Sequence, residues 1–253
     1  MGWLSNLFGK SDGGEPQDGA PTGDKTINKL HKKLMNKYIQ TMERKRVIGT
    51  LADIGSEEAI TALLDRFTYV TDGSIVDEDE KSLTYDVIRS MGERAVPVLK
   101  NVITTQVAIY WPLKALTEIS GEEEAVKVLF EALDGIEDRF ERSMERMTNL
   151  VSSLRDYTRP EVLRRLIELA TDEAEEIRFL AVDGLCTFGE YQDAVDAVVQ
   201  RVADPEETIR INRYAMDMAI ERSWNVKRYK KNLQDSIPEG YFVDDTGVIQ
   251  RRF

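Results

Sequence analysis

Apolar residues recur along most of this chain at steps of three and four, the spacing that lines one face of an α-helix. From Thr26, Ile27, Leu30, Leu34 and Tyr38, joined by Met35 and Met42, predict a first helix. Lys25, Lys29, Lys32, Lys33 and Lys37 fall largely on its other side. Beyond it a two-helix pattern repeats. A first helix ends in a turn that often holds glycine, and a second helix opens on Ala and a branched residue. Val47-Ile48 to Gly55 followed by Ala59-Ile60 is one copy, and Leu83 to Gly92 followed by Ala95-Val96 is the next. Further copies run from Leu113 to Gly121, from Met147 to Tyr157 and from Arg178 to Gly189, and a last begins at Arg210 and continues past Trp224.

The copies share local chemistry. Asp204-Pro205-Glu206-Glu207-Thr208-Ile209-Arg210 repeats the form of Asp172-Glu173-Ala174-Glu175-Glu176-Ile177-Arg178. Read as a helix start, Asp204 caps the free N–H groups and Pro205 takes the first helical position. Glu206 and Glu207 then face the positive end of the helix dipole. Glu57-Glu58 and Glu122-Glu123-Glu124 occupy the same kind of place at second helices. An internal period in the thirties predicts stacked units, because one helix pair alone would leave an apolar face in water.

The Asp-Pro-x-x-x-Ile-Arg string at 204–210 and the Gly-x-x-Ala-Val-Pro-x-Leu string at 92–99 resemble HEAT repeats, particularly the short bacterial HEAT-like repeats also found in bilin lyases. The resemblance covers about residues 40–225. It implies an all-α, right-handed solenoid of about five to six helix pairs, with second helices on the concave side. It also implies that Asp172, Arg178, Asp204 and Arg210 are structural, as rungs of an Asp–Arg ladder between neighbouring repeats. The expected organisation is an amphipathic tip over 1–8, a flexible linker over 9–25, the solenoid over 26–237 and a tail over 238–253. Tyr241 to Ile249 alternates apolar and turn-forming residues, which predicts a small hairpin capping the last helix.

Charge and composition narrow the function. Residues 47–223 hold 37 acidic and 19 basic side chains, so the middle of the chain should repel a phosphate backbone. That argues against nucleic acid, and against a HEAT-like DNA glycosylase in particular. No run of 18 or more apolar residues occurs, and the start does not read as a secretory signal. One cysteine, Cys186, fits a reducing cytoplasm. The one histidine, His31, lies among lysines and reads as a surface residue. Asp77 to Glu80 lacks the glycine and glutamate of a calcium loop and reads as an acidic helix start. No metal or cofactor is called for.

The function expected is therefore a non-enzymatic scaffold, acting as a cytoplasmic monomer and binding a protein with a basic patch. Glu58, Thr61, Asp65, Arg94, Asn101, Lys127, Glu131, Arg164, Arg165, Asp196 and Gln200 are the candidate contacts on the second helices. Trp3, Leu4, Leu7 and Phe8 share one helical face and are candidates for docking on a membrane or a partner groove. A bilin lyase or isomerase subunit is the enzymatic alternative, resting on the resemblance alone.

Overall fold

The computed structural model describes residues 23–189, 191–233 and 236–252. Trp3, Leu4, Leu7, Phe8 and most of the expected linker therefore lie outside the described residues. The chain is mostly helical and divides into two compact units between Ala132 and Leu133.

In the first unit the helices are α1 (Gly23–Leu34), α2 (Thr41–Ile54), α3 (Glu57–Leu64), α4 (Ser74–Ser90), α5 (Val96–Thr105), α6 (Tyr110–Ser120) and α7 (Glu122–Asp134), the last crossing the division by two residues. Alternate helices pack on one another. α2 meets α4 and α4 meets α6, while α1 meets α3 and α3 meets α5. Ile48, Leu51, Leu63, Ile88, Leu99 and Leu116 are fully buried at these contacts. Each such side chain contributes about 1.5–3 kcal/mol on leaving water. α2 stops at Gly55 and the turn after α4 holds Gly92, both with φ of 58°, the left-handed conformation that glycine adopts without strain. Both turns were legible in the sequence.

The second unit holds α8 (Glu141–Leu154), α9 (Pro160–Leu169), α10 (Glu175–Thr187), α11 (Gln192–Ala203), α12 (Ile209–Glu221) and the four-residue α13 (Lys230–Leu233). The alternation recurs, α8 on α10 on α12 and α9 on α11 on α13. Gly184 lets α10 approach α9 closely, since a Cβ there would lie 2.9 Å from a Leu166 methyl carbon. β1 (Tyr241–Val243) and β2 (Ile249–Arg251) form the expected hairpin, antiparallel with Phe242 opposite Gln250. It packs on α12. Tyr241 Oη and Arg251 Nη2 each donate to Asp217 Oδ1 at 2.6 Å.

Several local expectations are corrected. α1 begins at Gly23, taking in the last three residues read as linker, and ends at Leu34. Tyr38 and Met42 do not extend its apolar face. They lie beyond it and are 92% and 61% exposed. Asp204 follows the end of α11 and does not cap the start of α12, and Pro205 does not open that helix. Thr208 caps α12, its hydroxyl accepting from Ile211 N, and Asp204 Oδ1 instead accepts from Glu206 N at 3.0 Å in a tight turn. Asp172 makes the same turn with Ala174 N at 2.9 Å. Short polar side chains close such turns readily, so the motif marks the approach to a helix, not its first residue. α12 ends at Glu221, with Ser223 at a φ of 54°. Trp224 is thus buried in the connection that follows, and Tyr229 belongs to a 3-10 turn, Lys227–Tyr229.

Candidate functional site

The side chains expected to meet a partner all lie at least partly at the surface, but the structure sorts them into two groups. Some are held by other elements. Asp65, in the 3-10 turn Asp65–Thr68 after α3, lies 2.8 Å from His31 Nε2 of α1. Arg94 Nη2 donates to Gly55 O at 2.8 Å, bracing the α2–α3 turn. Arg165 pairs with Asp134 at 2.7 Å. Asp196 accepts from Gln192, Arg228 and Tyr229. Its burial works to raise the carboxyl pKa, but the hydrogen bonds from Tyr229, Gln192 and Arg228 outweigh it and hold the group below the usual range.

The others are turned outward. Thr61 Oγ1 donates to Glu57 O one turn back, and Lys127 and Glu131 face each other at 4.0 Å along α7. Glu58 is held below its ordinary pKa by its own backbone N–H and then by Ser56. Asn101 on α5 and, in the second unit, Arg164 on α9 and Gln200 on α11 are exposed. In the first unit an ion pair from Lys100 to Glu124 ties α5 to α7. Glu58, Thr61, Asn101, Lys127 and Glu131 therefore belong to a row of second helices within one compact unit. Their side chains are polar, exposed and occupied only within their own helix and its cap.

The buried charges do something else. Asp77 and Glu80, expected as part of an acidic helix start, do lie in the first turns of α4, but are 6% and 0% exposed on its inner side. Arg44 Nη1 donates to both Glu80 oxygens, at 2.8 and 3.0 Å. Arg66 donates to Glu80 at 2.9 Å and to Asp77 at 2.8 Å. Arg44 also reaches Asn36 O, so the network fastens the α1–α2 loop, α2 and α4 together. One signal could have revealed it. Glu80, Thr84, Val87 and Ile88 are spaced as one helical face, and the last two are plainly core residues.

The expected Asp–Arg ladder also takes another form. Arg178 donates to Asp172 O at 3.0 Å, and its guanidinium forks onto Glu207, with Nε to Oε2 and Nη2 to Oε1 both at 2.9 Å. Glu207, fully buried at its side chain, thus joins neighbouring copies, while Asp172 takes Arg139, thirty-three residues earlier, at 2.9 Å and Asp204 pairs with Arg201 nearby. Arg210 pairs with Glu176 at 2.7 Å. Cys186 is 1% exposed, and burial pushes its thiol up to about 12, so it is packed as a small apolar group.

Among the described residues no cluster of three or more His, Cys, Asp or Glu is placed to hold a metal ion. No described helix is long and apolar enough to cross a membrane. No family model and no curated protein matches this chain. Among solved structures it is similar to an engineered protein at 18% identity and a TM-score of 0.32. That match covers 83% of this chain, which spans 61% of the other's length. A second engineered protein matches at 18% identity and a TM-score of 0.33, over 78% of this chain and 96% of the other.

Proposed function

We propose that this chain is a HEAT-like α-solenoid that serves as a non-enzymatic scaffold, binding a protein partner along its second helices. The outward row Glu58, Thr61, Asn101, Lys127 and Glu131 on α3, α5 and α7 carries this reading. Its side chains are spaced over successive stacked helices, which suits recognition at many points. Its carboxylates, within an acidic stretch, suit a partner with a basic patch, where complementary charge sets association rate and specificity. The alternate packing of helices within each unit, together with the repeated Asp turn and the Arg that follows it, supports the solenoid assignment.

The test is capture of partners from the native host by the wild-type chain and by E58R/T61W/N101W. All three side chains are exposed, so the variant should melt with the wild type. The scaffold reading expects proteins held by the wild type and lost by the variant. Equal recovery by both would place binding elsewhere, and turnover of a bilin onto an acceptor protein would overturn the non-enzymatic assignment.

A further inference from the structure

One face of the first unit has the reverse charge of the rest of the chain. Residues 25–46 hold eight Lys and Arg against a single carboxylate, Glu43, in a protein of net charge −12; Arg44 is buried on Glu80 and Lys45 pairs with Asp79, which leaves six for this face. α1 buries Ile27 and Leu34 and leaves Lys25, Lys29 and Lys32 exposed, at steps that keep them on one side of the helix. Glu43 is taken by Lys33 at 2.7 Å. Lys25, Lys29, Lys32 and Lys37 make no ion pair with any described residue.

The surroundings of these lysines are apolar in part. A groove of about 920 Å³ between α1 and α2 is lined by Leu30, Met42 and Val47 together with Lys29, Lys33 and Arg46. A second cleft of about 420 Å³, holding Lys32 and Asn28, flanks α1. At the end of the helix Tyr38 stands 92% exposed beside Lys37, and Met42 is 61% exposed.

We infer that this face of α1, with Tyr38 and Met42, docks on an anionic lipid bilayer. A peptide would be expected to occupy one groove, whereas the cations here spread over the crest of a helix and both its flanks, which is how a charged plane is met. Lysine stems can lie along apolar surface while their ammonium groups reach phosphate oxygens, and tyrosine and methionine suit the boundary between headgroup and acyl chain. The inference is separate from the partner-binding row and stands or falls without it.

The test is co-sedimentation of the full chain with vesicles of phosphatidylcholine alone and with 30% phosphatidylserine. Binding should require the anionic lipid and should fall away in 0.5 M NaCl, where the screening length is roughly 4 Å. The variant K25E/K29E/K32E, which alters only exposed groups, should keep its circular dichroism and lose about a hundredfold in vesicle affinity. Equal sedimentation with both vesicle types, or undiminished binding by the variant, overturns the inference. So does tighter low-salt binding to duplex DNA or to polyglutamate than to the anionic vesicles, which would make the face a site for another polyanion.

Discussion

Glu80 has no contact with water and holds two guanidinium groups, so its removal should expose the real cost of the network. In Glu80→Ala Arg44 stays buried without a carboxylate, and Arg66 keeps Asp77 alone. Breaking a buried ion pair from one side costs about 3–5 kcal/mol, because a charge is left without compensation. Urea unfolding of the variant should show a loss of that size, and a change under about 1 kcal/mol would mean the arginines find other acceptors. Asp77 adds a pH signature. Burial pushes its carboxyl up, yet hydrogen bonds from Lys81, Arg66 and the Thr71 N–H more than reverse this and hold it well below the ordinary range. A carboxyl depressed in the folded state stabilises the fold above its unfolded pKa of about 3.9, and that contribution drains away as pH falls towards the folded value. The stability gap between wild type and Asp77→Asn should therefore be full at pH 5–7 and shrink below about pH 4. A gap independent of pH would show that the ionised form is not what matters. The sequence made this acidity visible but not its direction. Four successive acids look solvated, and only the helical phase of Glu80 with Val87 and Ile88 separates the inward pair from Glu78 and Asp79.

At the scale of elements the C-terminal hairpin shows how a turn can fasten one segment to another. Asp244 Oδ1 accepts from the N–H groups of Thr246, Gly247 and Val248, shaping the turn. Gly247 O then accepts from Val226 N at 2.7 Å, and Asn225 Nδ2 donates to Thr246 O at 3.0 Å. Gly247 has a φ of 94°, and a Cβ on it would sit 2.4 Å from Lys227 Cβ and 2.8 Å from Lys227 Cα. Gly247→Ala therefore combines a strained backbone with a clash against main chain, at a cost of about 1–3 kcal/mol. The Val226 amide should exchange its hydrogen markedly faster in this variant, while amides at the centre of α10 keep their protection. Unchanged protection at Val226 would mean the hairpin shifts without detaching. The alternation from Tyr241 to Ile249 made the strands legible. Their attachment was not, because Asn225 and Asp217 read as ordinary polar residues. The same limit applied to the repeated Asp motif. Its spacing announced a recurring element, but a carboxylate closing a turn and one capping a helix share a sequence signature, so the start of α12 was misplaced by about four residues.

For the molecule as a whole, the helix-pair period was the most legible property, since the apolar spacing recurs whether or not the turn between helices holds glycine. The division at Ala132 was hidden, because α7 carries the same period straight through it. The candidate site was half legible: periodicity put the outward positions of the second helices at the surface. Which of them are already held, as Arg94 is by Gly55 O and Asp196 by Arg228 and Tyr229, depends on neighbours remote in sequence. The division has a consequence for stability. If each helix draws its support from adjacent helices, a defect should spread through its own unit before it reaches the other. Glu80→Ala removes the tie between α4, α2 and the α1–α2 loop, all within the first unit. Hydrogen exchange followed by mass spectrometry should then show faster exchange across 41–105, with peptides from 141–220 close to wild type. Equal acceleration in both ranges would mean that the chain opens as one cooperative block, and the two units would then be a feature of contacts rather than of energetics.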